Sequence, residues 1–258
     1  MGLFKTLCAT ALFATLPFTF AHAKKGEKAP AAEKLYLLGS SSINGAFGRQ
    51  LETALEEGGY DVERYGKSSS GFSRPDFLDW QKELKKIKGL KKAKGALVYM
   101  GGNDGQGIWL RPDEREGGKK GEKWIKFGQA SQWSKVYKAR VQTFVQALCD
   151  AGLEKVIVLP PMDAVPKKSE LRFTRIRALQ VAGATAASCG AVVSTSGDAA
   201  QLKNKKKAKE LRQKDGIHAS ISGARRVIKR ITPKVAEIFP PLKQPEPPAE
   251  DAPAPKNK

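Results

Sequence analysis

Residues 34–48 read KLYLLGSSSINGAFG, and this stretch decides the fold. Its apolar run, Leu35 to Leu38, predicts a buried strand that ends at Gly39, and a helical pattern begins at Ala46. Three serines, Ser40 to Ser42, lie in the turn between them. A turn that ends a strand and starts a helix often exposes a nucleophilic hydroxyl, although serine-rich turns are also common without any chemistry. The interpretation therefore depends on whether the chain also supplies a base, an oxyanion hole and a common sheet.

Beyond this stretch, short apolar runs alternate with amphipathic segments. Further strands are predicted at 60–65, 96–100, 155–159 and 191–194, and helices at 46–57, 76–87, 133–151, 169–188 and 220–239. The connections between strands are too long for hairpins, which favours a parallel sheet with helices on both faces. We therefore predict an α/β protein, a three-layer α/β/α sandwich around a mostly parallel five-stranded sheet. Its site is expected at the carboxyl ends of the strands.

Two segments of the chain show little periodicity. Residues 105–130 are rich in glycine and charge, and we interpret them as a long surface loop beside the sheet. Such loops are more often functional than structural. The lysine-dense residues 201–214 are interpreted as a solvated helix or loop.

The N-terminus predicts export. Lys5 precedes an apolar run at 7–20, and Ala-His-Ala at 21–23 has the small-x-small pattern of a cleavage site, so residues 1–23 are interpreted as a secretory signal peptide. The run is short for a bilayer span, and no later segment is apolar enough to cross a membrane. The remaining predictions are a flexible leader at 24–33, one domain at 34–239 and a disordered tail, rich in Pro, Ala and Lys, at 240–258. We expect the mature protein to be periplasmic or secreted.

The chain is strongly basic. It has 46 basic and 26 acidic residues, which gives a formal net charge of +20. Such a charge favours anionic partners such as nucleic acid, acidic polysaccharide or a lipid surface, without choosing among them. An exported protein meets an anionic cell envelope before it meets DNA, and no nucleic-acid reader motif is present, so nucleic acid is the least favoured partner.

Loss of the signal peptide would leave two cysteines, Cys149 and Cys189, and one histidine, His218. Both cysteines lie in segments predicted to be helical and apolar, so separate buried thiols are slightly favoured over the disulfide that an oxidising compartment would allow. The Cys/His spacing of a metal site is absent, and we predict neither a metal nor a cofactor. Any chemistry that requires imidazole must use His218.

The candidate residues for acyl chemistry come from several segments of the chain. A serine becomes nucleophilic when a base accepts its proton and a carboxylate orients that base. Asp215 and His218 lie three residues apart in DGIH, where the carboxylate can fold back onto the imidazole. The Ser41 amide, the Gly71 amide and the Asn103 side chain are candidate donors for an oxyanion hole. Each has a plainer interpretation, such as a turn or a helix cap, but their order on one sheet edge favours a site.

Four blocks, taken in order, resemble the SGNH/GDSL hydrolase superfamily. They are GSS at 39–41, GKSSSG at 66–71, GGND at 101–104 and DGIH at 215–218. The resemblance runs from about residue 35 to residue 239 and implies the flavodoxin-like fold of those hydrolases. SSSGFSRPDFLDW at 68–80, the W-x-x-x-Y of Trp133 and Tyr137, and LPPM at 159–162 further resemble a bacterial exported subgroup.

Carried over residue by residue, the resemblance implies Ser41 as the nucleophile and His218 as the base. Asp215 would orient His218, and Gly71 and Asn103 would complete the oxyanion hole with the Ser41 amide.

One position departs from the family pattern. Ser40 stands where the family has the aspartate of GDS, so a usual support of the first block is missing. The spacing from the strand favours Ser41, rather than Ser40 or Ser42, as the nucleophile.

The function implied by the resemblance is that of an exported serine esterase. Its substrate would be an O-acyl ester, such as an O-acetyl group, on a small molecule or on an envelope polysaccharide. Trp109, Arg111 and Trp133 in or beside residues 105–130 are candidate sugar contacts. Two alternatives remain: acyl transfer to another sugar, and a catalytically weak binding module that docks its basic surface on the envelope.

Overall fold

The computed structural model describes residues 33–242. The strands are β1 (Lys34–Gly39), β2 (Asp61–Gly66), β3 (Gly95–Tyr99), β4 (Ile108–Trp109), β5 (Trp124–Ile125), β6 (Lys155–Val158) and β7 (Gly190–Val192). The α-helices are α1 (Ser41–Asn44), α2 (Ala46–Glu57), α3 (Trp80–Leu84), α4 (Ala130–Asp150), α5 (Lys167–Ala184), α6 (Ala199–Leu202), α7 (Lys205–Leu211) and α8 (Ile221–Ile238).

A five-stranded sheet in the order β2-β1-β3-β6-β7 forms the middle layer. Every neighbouring pair is parallel, and β1 pairs with β2 on one side and β3 on the other, so that Leu38 lies between Tyr65 and Val98. The apolar run of β1 is completely buried because helices cover both faces of the sheet. The predicted α/β/α sandwich with a parallel five-stranded sheet is confirmed.

The two faces of the sheet bury separate apolar layers. Helices α2 and α8 cover one face, where Phe47 and Leu51 pack with Val227 and Ile231. Helices α3, α4 and α5 cover the other face, which is richer in aromatic side chains; these include Trp80, Trp133, Tyr137 and Phe144. Because the five strands are parallel, their carboxyl ends lie at the same edge of the sheet.

The helix predicted over 76–87 is shorter in the structure. Only Trp80–Leu84 is α-helical, because Asp79 caps its start through a hydrogen bond from the Gln81 N–H at 3.0 Å. Residues before it form turns, and Phe77, placed on the predicted apolar face, is 59% exposed. The apolar spacing therefore overstated the length of this helix. The sequence of the lysine-dense residues 201–214 indicates a helix or a loop. Most of these residues are helical, in the end of α6 and in α7.

Residues 105–130 are more ordered than a loop. Strands β4 and β5 pair as an antiparallel hairpin, and two 3-10 turns, Pro112–Glu114 and Gly118–Lys120, lie between them. Ile108 and Ile125, one from each strand of this hairpin, are paired and buried. The prediction of a surface loop is wrong here because strands of two residues carry no detectable periodicity.

Cys149 and Cys189 form a disulfide. The sequence slightly favoured two separate thiols, and that prediction is wrong. Cys149 lies at the end of α4 and Cys189 directly before β7, and these two elements lie side by side once α4 packs on the sheet. The residues are 40 positions apart, so only the tertiary fold brings them together.

The signal peptide at 1–23 lies outside the described residues, as do nearly all of the leader at 24–33 and of the tail at 240–258. These assignments remain predictions. Between residues 33 and 242, no helix combines the length and apolar character needed to cross a bilayer.

Loss of the disulfide should destabilise the fold, because the cross-link restricts the unfolded chain. We expect the double variant Cys149→Ala/Cys189→Ala to lose about 2–4 kcal/mol of the free energy of unfolding. Urea titration followed by circular dichroism measures this difference. Dithiothreitol should destabilise the wild type by a similar amount and leave the variant unchanged. Equal stability of both proteins would contradict a structural role for this bond.

Candidate active site

The turn after β1 is held by main-chain contacts with the end of β3. Gly39 lies so close to β3 that a Cβ atom there would be 2.1 Å from the Tyr99 carbonyl oxygen. The N–H of Ser40 donates to the same oxygen at 3.2 Å, and the N–H of Lys67 donates to the Gly39 carbonyl at 2.8 Å. Helix α1 then begins at Ser41. A glycine at position 39 is therefore required by close approach of the backbone.

The position of the missing family aspartate is buried. Ser40 is 2% exposed and is the N-cap residue of α1, but its side chain accepts no capping hydrogen bond. The carbonyl of Ser40 accepts the N–H of Ile43 at 3.0 Å. Ile43 is fully buried, and Gly48 of α2 lies directly against its backbone. The turn is thus fixed by the backbone and by packing, without a carboxylate at position 40.

Ser41, His218 and Asp215 form a continuous chain of hydrogen bonds. Ser41 Oγ lies 2.7 Å from His218 Nε2, and His218 Nδ1 lies 2.5 Å from Asp215 Oδ2. The other carboxylate oxygen, Asp215 Oδ1, accepts the N–H groups of Ile217 at 2.9 Å and His218 at 3.0 Å. The three side chains predicted from the sequence are therefore joined by hydrogen bonds in the order serine, histidine, aspartate.

The carboxylate of Asp215 is held in its ionised form. Partial burial raises the pKa of this group, but the hydrogen bonds from the His218 imidazole and from the N–H groups of Ile217 and His218 outweigh burial. The pKa of Asp215 consequently lies below its ordinary value. The ionised Asp215 can accept a hydrogen bond from an N–H group at His218 Nδ1, and in that tautomer Nε2 is the nitrogen that faces Ser41 as an acceptor.

The loop that carries His218 is fixed at both ends. Gly216 has a positive φ of 71°, and its carbonyl accepts the N–H of Val165 at 2.8 Å. The carbonyl of His218 accepts the N–H of Gln213 at 2.8 Å. Ser220, rather than Asp215, caps α8 by accepting the N–H of Gly223 at 3.0 Å. Asp215 therefore does not serve as the cap of the last helix.

A buried ion pair lies behind this loop, and the sequence alone assigns it no role. Arg212 and Asp198 are both fully buried and are 3.2 Å apart. Asp198 also contacts Arg226 at 3.0 Å and Arg230 at 2.9 Å, while Arg212 Nε donates to the Asp163 carbonyl at 2.9 Å. Arg212 directly precedes the His218 loop. Contacts between such distant positions leave no periodic signal in a sequence.

The opposite side of the site contains the candidate oxyanion donors. Asn103 Nδ2 donates to the Ser70 carbonyl at 3.0 Å, so the GGND turn and the Gly71 loop are in contact. A side-chain amide has a second N–H that remains available to a substrate. Within the described residues, the backbone N–H groups of Ser41 and Gly71 donate to no acceptor. The three predicted donors thus lie at one sheet edge, with unpaired hydrogens among them.

The three candidate sugar contacts are placed less favourably. Trp133 is fully buried, and its indole N–H donates to the Gln106 carbonyl at 2.8 Å, so the expected substrate contact is replaced by a core role. Arg111 forms ion pairs with Asp79 at 2.9 Å and with Glu114 at 3.1 Å. Trp109 is half-buried. Its ring lies 5.2 Å from that of Trp124, the more exposed of the two. The spacing of aromatic residues alone did not distinguish core from surface.

The fold is shared with solved α/β hydrolases and esterases, in agreement with the hydrolase fold that the four sequence blocks predict. LAE5, an α/β hydrolase from the metagenome of Lake Arreo, Spain, is 15% identical with a TM-score of 0.55, over 80% of this chain and 96% of that one. A catalytic mutant of Axe2, an acetylxylan esterase from Geobacillus stearothermophilus, is 14% identical with a TM-score of 0.53, over 81% of this chain and 95% of that one. At such identities the likeness concerns the fold.

A family model described as "Protein of unknown function (DUF459)" matches residues 34–234, and the chain belongs to this family. No curated protein matches the sequence. The matched range includes all of the residues that meet at the candidate site.

A side chain at position 71 should disturb the site and the fold. A Cβ atom on Gly71 would lie 2.2 Å from Asp104 Oδ1, a buried atom, whereas a Cβ atom on Gly102 would meet nothing within 4 Å. We expect Gly71→Ala to lower the free energy of unfolding by about 1–3 kcal/mol. Gly102→Ala, the matched control, should change it by less than about 0.5 kcal/mol. Thermal or urea unfolding tests this, and equal stability of the two variants would show that the Gly71 loop is not tightly packed.

Proposed function

We propose that this protein is an exported serine esterase that hydrolyses O-acyl esters through Ser41, His218 and Asp215. The observation that supports it most directly is the unbroken hydrogen-bond chain from Ser41 Oγ through the His218 ring to the Asp215 carboxylate. Ser41 lies 177 positions from His218 in the sequence, and nothing in core packing requires the partly exposed side chains of Ser41, His218 and Asp215 to meet. Acyl transfer through an activated serine explains the arrangement.

The geometry supports a two-step reaction. His218 Nε2 accepts the proton of Ser41 Oγ as this oxygen attacks the ester carbonyl, and the resulting imidazolium is stabilised by Asp215. The N–H groups of Ser41 and Gly71, with the Asn103 amide, would stabilise the oxyanion of the tetrahedral intermediate. His218 then protonates the leaving alcohol. Water, activated by the same imidazole, hydrolyses the acyl-enzyme and restores Ser41.

An O-acetyl group on an envelope glycan is the substrate class that we favour. The signal-peptide pattern predicts export, and the net charge of +20 suits an anionic polysaccharide surface. Axe2, which shares the fold, is an acetylxylan esterase. Nucleic acid is not favoured as a partner, and the chemistry drawn from these residues requires no cofactor.

Replacement of Ser41 should abolish hydrolysis. We expect Ser41→Ala and His218→Ala to lower kcat for p-nitrophenyl acetate by at least about a thousandfold, because the nucleophile and its base act as one unit. Ser42→Ala is the matched control, since Ser42 is the neighbouring serine in the same helix. It should keep kcat within about threefold of wild type, because Ser42 is half-buried and takes no part in the hydrogen bonds that join Ser41, His218 and Asp215. Residual activity of Ser41→Ala near the wild-type value would refute the assignment.

The same assay separates the alternatives. A wild type with no activity on several acetyl esters would favour a binding module that uses the SGNH fold without catalysis. Incubation with an acetylated donor and a glycan acceptor, followed by product analysis, distinguishes hydrolysis from acyl transfer. Free acetate as the main product supports the esterase, and an acetylated acceptor supports the transferase.

A further inference from the structure

A chain of buried polar side chains lies behind the oxyanion side of the site. Asp104, Tyr137 and Gln180 are each at most 1% exposed. They lie on the face of the sheet that is otherwise filled with aromatic and aliphatic residues. Burial of polar groups costs free energy unless hydrogen bonds compensate it. The proposed acyl chemistry makes no direct use of any of the three. Their contacts show what they do.

Asp104 fixes the loop that carries Gly71. Its Oδ1 atom accepts the N–H of Ser73 at 2.9 Å, and its carbonyl accepts the Ser73 hydroxyl at 3.1 Å. The same Oδ1 atom leaves no room for a Cβ atom on Gly71. Because Asp104 directly follows Asn103, one residue connects the two candidate oxyanion donors that come from different loops.

Tyr137 and Gln180 fix the Asp104 carboxylate in turn. The Tyr137 hydroxyl donates to Asp104 Oδ2 at 2.8 Å, and Gln180 Nε2 donates to the Tyr137 oxygen at 3.0 Å. Gln180 Nε2 also donates to the Met100 carbonyl at 3.1 Å, next to the GGND turn. Gln180 Oε1 has no hydrogen-bond partner in the described part of the chain. The Gln180 amide therefore uses its N–H groups in hydrogen bonds and leaves its oxygen unpaired.

The direction of these hydrogen bonds is set by protonation. Burial, followed by the charge of Asp104, raises the pKa of Tyr137 well above its ordinary value, so the phenol remains a donor at neutral pH. Burial also raises the pKa of Asp104, against the donors from Ser73, Tyr137 and Phe72 that lower it. The tyrosine can therefore donate to Asp104 across the physiological range.

Trp133 supports the same turn from the other end of the W-x-x-x-Y motif. Its ring stacks on that of Tyr137 with a centroid distance of 4.7 Å and an interplanar angle of 12°. Its indole N–H donates to the Gln106 carbonyl at 2.8 Å, and Gln106 Nε2 donates to the Asn103 carbonyl at 2.5 Å. Both aromatic residues of the motif thus bond to the segment 103–106, Trp133 to the Gln106 carbonyl and Tyr137 to the Asp104 side chain.

We propose that the Tyr137–Asp104 hydrogen bond is a positioning device that sets the separation between the Gly71 N–H and the Asn103 side-chain amide. This role rests on the proposed esterase function. Since the two donors must converge on an oxyanion that exists only in the transition state, a small displacement lowers kcat more than substrate binding. The W-x-x-x-Y motif is then a feature of catalysis as well as of the core.

The test compares two phenol-to-phenyl substitutions. Tyr137→Phe removes the hydroxyl from Asp104. Tyr36→Phe is the matched control, because Tyr36 is equally buried in the same apolar layer. Its hydroxyl donates to the Lys88 carbonyl at 2.6 Å. Lys88 lies in the segment that leads into the amino-terminal end of β3, opposite the candidate site. We expect Tyr137→Phe to lower kcat for p-nitrophenyl acetate at least about tenfold with KM within about twofold. Tyr36→Phe should lower Tm to a similar extent and leave kcat unchanged.

Hydrogen exchange provides the structural readout. In Tyr137→Phe, amide exchange should increase at 70–73 and 101–106 and remain at the wild-type rate in the Ser41 turn. Unchanged kcat, a change in KM alone, or an equal loss of kcat in Tyr36→Phe would each overturn the positioning role. If the wild type is active, Ser41→Ala is inactive and Tyr137→Phe keeps its activity, the positioning role of Tyr137 is wrong and the proposed function still holds. A wild type that hydrolyses no ester overturns the proposed function, and this role with it.

Discussion

At the carboxyl end of β1, the backbone of Gly39 lies so close to the Tyr99 carbonyl that any side chain at position 39 would overlap it. The N–H of Ser40 donates to that same oxygen, so the turn that presents Ser41 is attached to the end of β3. The GGND turn leaves β3 two residues later. This contact therefore couples Ser41 and Asn103 to one point of the backbone, which fixes both relative to the sheet.

Two buried carboxylates hold the loops on either side of the site in place. Asp104 orders the Gly71 loop, and Asp198 with Arg212 supports the segment that leads to His218. Each buried carboxylate has several hydrogen-bond donors. Against burial, three arginines hold the pKa of Asp198 below its ordinary value, whereas burial outweighs the donors at Asp104 and raises its pKa. The absence of an aspartate at position 40 thus leaves the site without one support, but Asp104 and Asp198 still order the loops around it. The Ser41–His218 distance of 2.7 Å is reached without it.

The sequence predicts the elements whose signals are local. The strand at 35–38 and the helix at 46–57 have strong apolar patterns, and both are present. The four blocks predict which residues meet, because three of them follow strands of a parallel sheet and the fourth, DGIH, lies just before α8. The disulfide between Cys149 and Cys189, and the burial of Trp133, depend on how α4 packs, which no local pattern contains. The hairpin within 105–130 has strands too short for a period to show.

Covalent labelling of the mature protein tests most directly whether Ser41 is an activated nucleophile. A fluorophosphonate probe reacts with serines whose proton is accepted by a neighbouring base, and the adduct is located by peptide mass spectrometry. Our interpretation predicts one adduct per chain on Ser41 and none in His218→Ala, in which the base 2.7 Å from Ser41 Oγ is absent. Labelling at another serine, or labelling of Ser41 that persists without His218, would contradict it.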